Sequence, residues 1–255
     1  MKTQVVILRQ QSLTLAQIEE MWALYSGFYN YTEQYFRERI HRNTHFSLYL
    51  QQGRIIGFTG LRIDKVKLSG QDQLLFYFGQ TVIARAFRGK SLIQTTALML
   101  LFKYWKECLH CQVWFWYDAL SYKAYLAAAN CAHEIYPSHR CPMPEKVRQI
   151  RDFAGITWYG EAYCPASGTV KKAINYVNDA ATNIFPEDLT NPDVAFFVHN
   201  NPGYSHGQGL LTFIPVTSQN LLVLVKRYWN LMFNHKTKKR QSKSANVQPA
   251  FGHLF

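Results

Sequence analysis

The chain has 255 residues, of which 48% are apolar, so a packed globular core is expected and wholesale disorder is excluded. The net charge is +12, and no acidic residue follows Asp193. The basic residues after that point are Lys226, Arg227, Lys236, Lys238, Lys239, Arg240 and Lys243. This end of the chain is either a solvated tail or a segment that meets anionic phosphates, for which a lipid surface is the candidate. No recognised nucleic-acid-binding motif accompanies the charge, so nucleic acid is not an expected partner.

The apolar runs are too short for a membrane span, which needs about 18 consecutive apolar residues. The longest, Ala97–Phe102 and Leu221–Val225, end at Lys103 and Lys226. The apolar run Val5–Leu8 is also shorter than the core of a signal sequence. We therefore expect a cytoplasmic protein.

The first third of the chain predicts two helices between strands. Thr14 and Thr32 are suited to cap helices, and apolar residues recur at helical spacing after each. Alternating or continuous apolar runs separated by Gly-containing turns predict strands. In chain order, these elements are a strand at Val5–Leu8, helices at Leu15–Tyr29 and Thr32–His41, and strands at Phe46–Gln51, Ile55–Lys67 and Leu74–Ala84.

The middle third begins with the polar turn Arg85–Gly89, and a proline-rich stretch, Pro137–Pro144, ends it. Between them the pattern predicts a long helix at Ser91–Leu109, an aromatic strand at Val113–Tyr117, a short helix at Ser121–Ala129 and a strand at His133–Tyr136. The aromatic strand places two of its rings on each face of the sheet, either as core or as the lining of a substrate pocket.

The last part predicts helices at Glu145–Ala154, Lys171–Asn183 and Leu221–Phe233, and a strand at Leu210–Pro215. The segment Asn200–Gly209 is rich in Asn, Pro, Gly and His. It is either a plain surface connection or a substrate loop in which His199 and His206 are acid–base candidates.

This order of elements predicts an α/β fold in which a mixed central sheet is flanked by helices. An antiparallel meander leads to a strand, a helix and a neighbouring parallel strand. We expect a core at residues 1–140, a C-terminal extension packed on it at 141–234, and a basic flexible tail at 235–255.

Five cysteines, an odd number in a chain of this size, argue against a disulfide framework. Cys108 and Cys111 have the C-x-x-C spacing of a zinc ligand pair, with Cys131 and His133 as further ligands. The alternative, which we favour, is that they are reduced thiols at the end of a helix. No metal site is therefore predicted.

The turn Phe87–Leu92 carries the clearest chemical signal. An apolar strand leads into it and a long helix follows, so unpaired amide groups and the positive end of the helix dipole lie at this point. Gly89 allows close approach of the backbone, Arg88 and Lys90 add positive charge, and Ser91 adds a hydroxyl. Such a helix start is suited to bind a diphosphate or a similar anion.

With Ile83 and the Phe87-Arg88-Gly89-Lys90 run, the chain resembles the GNAT N-acetyltransferase superfamily over roughly Val5–Tyr136. The resemblance implies a GNAT-like acyl-CoA N-acyltransferase fold with acetyl-CoA or another acyl-CoA as co-substrate. It implies that Thr81, Val82 and Ile83 pair with the pantetheine arm and that Arg88, Gly89, Lys90, Ser91 and Leu92 hold the diphosphate. It also implies that Tyr125, on the helix after the aromatic strand, protonates the leaving thiolate.

The sequence departs from the family pattern in three places. Ile93 occupies the last glycine position of the turn, Ala129-Asn130 replaces a Gly-Phe pair, and the strand Leu74–Ala84 has no carboxylate base. The acceptor proton would then leave through water or to His133, Glu134 or Asp118. The resulting hypothesis is acyl transfer to an amine acceptor by direct attack on the thioester. The alternative is a non-catalytic GNAT-like module that binds a protein partner or an anionic membrane, with Ile93 closing the groove.

Overall fold

The computed structural model describes residues 3–172, 183–226 and 228–229. Its strands are β1 (Gln4–Arg9), β2 (His45–Gln51), β3 (Arg54–Leu68), β4 (Gln71–Ile83), β5 (Gln112–Ala119), β6 (Tyr163–Cys164), β7 (Thr169–Lys171) and β8 (Gln208–Pro215). Its helices are α1 (Leu15–Tyr25), α2 (Glu33–Ile40), α3 (Leu92–Lys103), α4 (Trp105–Cys108), α5 (Tyr122–Ala129), α6 (Glu145–Tyr159), α7 (Pro192–Asn200) and α8 (residues 218–226 and 228–229).

The strands form one eight-stranded sheet in the order β1-β2-β3-β4-β5-β8-β7-β6. Within it β4 and β5 run parallel, joined by the crossover through α3, and the other neighbouring pairs are antiparallel. The predicted α/β fold with a mixed sheet flanked by helices is therefore confirmed.

Alternation along the strands divides the core between the two faces of the sheet. On β2, Phe46 and Leu48 pack under α1 and α2, whereas Ser47 and Tyr49 point to the opposite face. There, both hydroxyls bond to Thr96 of α3. On β4, Leu75 and Tyr77 pack under α6, whereas Leu74 and Phe76 pack under α3. The sheet is thus covered on both sides, as its apolar central strands require.

The predicted caps are present. Thr14 and Gln17 form a capping box at the start of α1, and Thr32 caps α2. The predicted long helix after the turn is broken at Tyr104 into α3 and α4.

The prediction of a strand at His133–Tyr136 is wrong. This segment contributes one isolated bridge, from Tyr136 to Phe213, and the position beside β5 is taken by β8. The backbone amides of His133 and Glu134 instead donate to the side-chain oxygen of Asn220 in α8. Because that side chain takes both amides, they are not available to a strand ladder.

The C-terminal region contributes β6, β7 and β8 to the same sheet, so residues on both sides of Pro137–Pro144 share it. The helix α7 was not predicted. Lys171 ends β7 and so does not begin the helix that the sequence predicts at Lys171–Asn183. Its residues 173–182 lie outside the described part, as do Arg227 and residues 230–233 of the last predicted helix, and the tail. Among the described residues, no helix has the length and apolar character of a membrane span.

Candidate functional site

The site lies where the two parallel strands diverge. Pairing between β4 and β5 runs from Gln73 and Gln112 to Tyr77 and Trp116 and then stops. Beyond that point β4 continues to Ile83 and β5 to Ala119, and a cavity of about 530 Å³ is lined by residues of both strands. The edge of β4 that turns away from β3 therefore has no neighbouring strand to satisfy its backbone groups, so it is open to a ligand.

A β-bulge bends β4 at this point. The register with β3 shifts by one residue between Phe58 and Gly60, and Gln80 adopts a left-handed conformation with φ 45°. The side-chain oxygen of Gln80 accepts a hydrogen bond from the Asn43 amide at 2.6 Å, which holds the bulge. Bulges of this kind redirect a strand and frequently lie beside functional sites.

The turn after β4 leaves the start of α3 open. Gly89 and Ser91 have positive φ angles of 76° and 51°, and Ser91 is the N-cap residue of α3 but makes no side-chain capping bond. The first-turn amides of α3 are therefore not occupied by a cap. A Cβ atom built on Gly89 meets nothing within 4 Å, so glycine serves the backbone conformation and not a close contact.

The sequence-predicted binding residues all line this cavity: Thr81, Val82, Ile83, Arg88, Gly89, Lys90, Ser91 and Leu92. The Arg88 Nε atom donates to the Ile83 carbonyl at 3.1 Å, and its guanidinium lies over the Phe28 ring. Ile93 lies in the same wall, half-buried, and the cavity stays open beside it.

Tyr125 does not line the cavity. Its side chain is fully buried, its ring packs near Phe196 and Phe197 of α7, and its hydroxyl donates to the Pro137 carbonyl at 2.9 Å. Burial raises the pKa of this hydroxyl well above its ordinary value. In this position the hydroxyl faces the protein interior.

A buried charge cluster lies at the diverging end of β5. The Tyr77 hydroxyl donates to Asp118 Oδ1 at 2.7 Å, and the Lys172 ammonium forms an ion pair with Asp118 Oδ2. The side chains of Asp118 and Lys172 are only 4% and 8% exposed, and both residues line the cavity. Tyr159 of α6 completes the cluster by donating to the Tyr77 oxygen at 3.3 Å.

The absence of a side chain at Gly79 allows the Tyr77 ring to take this position. A Cβ atom there would lie 2.3 to 2.5 Å from atoms of the Tyr77 ring. Without that Cβ, the ring lies along β4 and its hydroxyl reaches Asp118 on the neighbouring strand.

The cluster shifts the protonation of its members. Burial alone would raise the pKa of Asp118, but the charges of Lys172 and Arg39 and the Tyr77 hydrogen bond hold it below its ordinary value. Burial lowers the pKa of Lys172, and Asp118 opposes that shift. The lowered pKa of Lys172 eases the release of its proton, and Asp118 stays an ionised carboxylate beside it that can accept one.

A wall of aromatic residues and one arginine surrounds the other side of the cavity. Tyr25, Phe28 and Tyr29 of the α1–α2 region line it together with Arg39 of α2. The Tyr29 hydroxyl donates to the Thr81 carbonyl at 3.1 Å, and burial raises its pKa to about 12.

Of the three side chains considered as bases, Asp118 lines the cavity, whereas His133 and Glu134 do not. His199 and His206 are exposed and do not line it either. The residue pattern of the chain contains no sign of Lys172, Arg39 or Tyr29 as site residues. Asp118 had one, because it is the carboxylate that directly follows the aromatic run of β5.

The five cysteines are free thiols; Cys111 is buried, Cys164 is exposed, and the others are intermediate. Within residues 3–172, 183–226 and 228–229, no group of three or more His, Cys, Asp or Glu side chains is placed to hold a metal ion.

No protein-family model matches the chain, and no curated protein matches it. Solved structures with a similar arrangement include glucosamine-6-phosphate N-acetyltransferase from Arabidopsis thaliana, at 16% identity and a TM-score of 0.38. That match covers 57% of this chain and 98% of the plant chain. An acyl-CoA N-acyltransferase from Pseudomonas aeruginosa matches at 16% identity and a TM-score of 0.36, over 51% of this chain and 86% of that one.

A conserved Enterococcus faecalis V583 protein of unknown function, described as a probable N-acyltransferase, matches at 12% identity and a TM-score of 0.37. The match covers 51% of this chain, which spans only 32% of the bacterial chain. At this level of similarity the neighbours establish neither an activity nor a substrate, and the strand order and the cavity carry the functional argument.

Proposed function

We propose that the protein transfers an acyl group from acyl-CoA to an acceptor amine. One observation supports this proposal above the others. The same cavity is lined by the uncapped start of α3, which is suited to a diphosphate, and by the Asp118–Lys172 pair, which is suited to proton transfer.

In this proposal the diphosphate of the coenzyme binds to the amides at Arg88–Leu92, with Lys90 adding positive charge. The pantetheine arm follows the open edge of β4 at Thr81–Ile83, where backbone groups have no neighbouring strand. A backbone N–H near Ile83 polarises the thioester carbonyl and stabilises the oxyanion that forms on attack.

The acceptor amine attacks the thioester carbon, and the carbon–sulfur bond then breaks. Asp118 takes the proton that the amine nitrogen loses, and Lys172 gives a proton to the departing thiolate. Proton transfer from Asp118 to Lys172 restores both groups. The role of Tyr125 as thiolate donor stays a prediction; we assign the step to Lys172, because the Tyr125 hydroxyl donates to Pro137 and lies away from the cavity.

The test is acceptor-dependent release of coenzyme A thiol from acetyl-, octanoyl- and palmitoyl-CoA in the presence of a pool of primary amines. We expect release with at least one acyl-CoA, and mass spectrometry should find the acylated amine. Binding of acyl-CoA without any transfer would favour the non-catalytic module. Failure of every acyl-CoA to bind would refute the proposed cofactor.

We also propose that α8 contacts an anionic lipid surface. Leu222, Val225 and Trp229 are spaced along one helical face and are 69%, 43% and 60% exposed. Lys226 lies beside them, and the five basic residues Lys236, Lys238, Lys239, Arg240 and Lys243 follow in the sequence without an acidic residue. An apolar face bordered by positive charge is typical of helices that lie in a membrane interface.

A further inference from the structure

One arginine of the cavity, Arg39, forms no ion pair with any residue that the structure describes. Arg39 and Arg37 are both on α2, but Arg37 forms an ion pair with Glu33 on the surface of the helix. The Arg39 side chain lines the cavity, and its guanidinium makes no hydrogen bond or ion pair to the described residues. Its contacts are the rings of Tyr31 and Tyr35, at 5.8 and 5.9 Å from their centroids. The donors of its planar fork are therefore available to a ligand.

Asp118, the carboxylate that lines the cavity within the described part of the chain, is already engaged. Asp118 binds the Tyr77 hydroxyl through one oxygen and the Lys172 ammonium through the other. Its charge is balanced by Lys172, so among the described residues of this wall Arg39 adds a positive charge that no ion pair compensates. Arg39 contributes to the low pKa values of both Asp118 and Lys172, so its charge acts on this side of the cavity.

The surrounding tyrosines do not supply an anion. Burial raises the pKa values of Tyr25, Tyr29 and Tyr31, so their hydroxyls stay protonated at neutral pH. A half-buried guanidinium without an ion pair to the described residues is costly to desolvate, and a ligand anion would offset that cost. A planar guanidinium binds carboxylate or phosphate oxygens in pairs, which fixes orientation as well as affinity.

We propose that the acceptor is an amine that also carries an anionic group, a carboxylate or a phosphate, and that Arg39 binds this group. This inference rests on the proposed acyl transfer. Arg39 would hold the anion of the acceptor while its amine faces Asp118, so the enzyme would select amino acids or aminoalkyl phosphates over simple amines.

The test uses matched pairs of acceptors on the full-length protein saturated with a non-hydrolysable acetyl-CoA thioether. One arm compares a pool of free α-amino acids with a pool of their amides, and the other compares phosphoethanolamine with ethanolamine. We expect the anionic member of at least one pair to bind at least about tenfold more tightly, a difference of about 1.4 kcal/mol. The arm that shows it identifies carboxylate or phosphate.

Arg39→Gln should reduce that preference to less than about threefold, and Arg39→Lys should retain part of it, because charge is kept and the fork is lost. Arg37→Gln is the control on the same helix and should leave the preference unchanged. Equal affinity within both pairs, including no detectable binding, would overturn the proposal. So would a preference that survives Arg39→Gln. Binding of the thioether itself, measured on the same samples, reports separately on the proposed cofactor.

Discussion

At the scale of single residues, Asp118 is the proposed general base that accepts the proton from the acceptor amine. Asp118→Asn removes the proton acceptor but keeps a hydrogen-bond partner for Tyr77. We expect kcat to fall by about 10²- to 10⁴-fold, the usual contribution of a general base, while the acetyl-CoA affinity is retained. Steady-state kinetics and calorimetry together test this. Glu134→Gln is the control, since Glu134 is a half-buried carboxylate that does not line the cavity; an equal loss in both variants would contradict the assignment.

The same variant should also change stability with pH. The pKa of Asp118 is depressed in the folded protein, so its charge stabilises the fold above the unfolded value of about 3.9. That contribution is lost as the pH falls through the folded pKa. At neutral pH, Asp118→Asn leaves the buried Lys172 unpaired and should cost about 3 kcal/mol. In denaturant unfolding, the difference between wild type and variant should narrow in acid; a constant difference would argue against a depressed pKa.

Tyr125, unlike Asp118, is expected to contribute to stability and not to catalysis. Its hydroxyl bonds to the Pro137 carbonyl in the interior, so Tyr125→Phe should lower the free energy of unfolding by about 1 to 3 kcal/mol. We expect kcat to change by less than about twofold, because the hydroxyl does not reach the cavity. If kcat instead falls a hundredfold in a stably folded variant, Tyr125 is the proton donor and Lys172 is not.

The sequence pattern was sufficient to predict the backbone segments of the site but not its buried charged residues. The backbone turn depends on residues that are neighbours in the chain, whereas the charged pair depends on residues that are far apart in it. Gly89 and Ser91 form a turn whose chemistry is local, so their positions follow from the pattern. Lys172 pairs with Asp118 only because the fold brings two distant segments together, and the residues next to either one in the sequence do not indicate the pair. Tyr125 stands at a motif position, yet its orientation is set by Phe196 and Phe197 of a helix that the sequence did not predict.

At the scale of secondary-structure elements, the turn between β4 and α3 decides whether an anion binds. Gly89→Ala forces a side chain into a left-handed conformation, at a cost of about 1 to 2 kcal/mol, and places a methyl group beside the uncapped amides. We expect the dissociation constant for acetyl-CoA to rise about tenfold. The measurement is calorimetric titration of the two proteins in parallel.

Gly53 offers a matched control for this variant. It lies in the β2–β3 hairpin at φ 79°, and its Cβ would also meet nothing within 4 Å. Gly53→Ala should therefore cost the same stability without changing acetyl-CoA affinity. Equal affinity in both variants would mean that the diphosphate does not approach Gly89.

The strands show where local patterns suffice. The β2–β3–β4 meander was predictable because alternation and Gly-containing turns specify neighbouring antiparallel strands. His133–Tyr136 has the composition of a strand, but Asn220 of α8 takes its amides and β8 fills the edge of β5. Asn220 and β8 both lie more than 70 residues further along the chain, so a local sequence pattern cannot predict their interactions with this segment.

At the scale of the whole molecule, the proposed lipid contact predicts binding to vesicles. The protein should co-sediment with phosphatidylserine-containing vesicles more than with phosphatidylcholine vesicles, and added salt should weaken the difference. Leu222→Glu should reduce co-sedimentation several-fold, because a charge on the apolar face opposes insertion. Leu15→Glu is the control, since Leu15 is similarly exposed, at 72% against 69%, on α1. Binding that is unaffected by Leu222→Glu would exclude α8 as the contact.

The predicted core and the region that follows it share one β-sheet. Because β6, β7 and β8 extend the same sheet, the region after Pro144 supplies Lys172 and part of the cavity wall on α8. The proposed site therefore depends on both parts of the chain. The sequence resemblance, which ends near Tyr136, covers most of the cavity wall but does not include Lys172.

The most direct test of the account is calorimetric titration of the wild-type protein with acetyl-CoA and with coenzyme A lacking the acyl group. We predict binding of one equivalent of each, with a dissociation constant on the order of 10 μM. The absence of binding for both, and for octanoyl- and palmitoyl-CoA, would contradict the assignment of the cavity between β4 and β5 to an acyl-CoA.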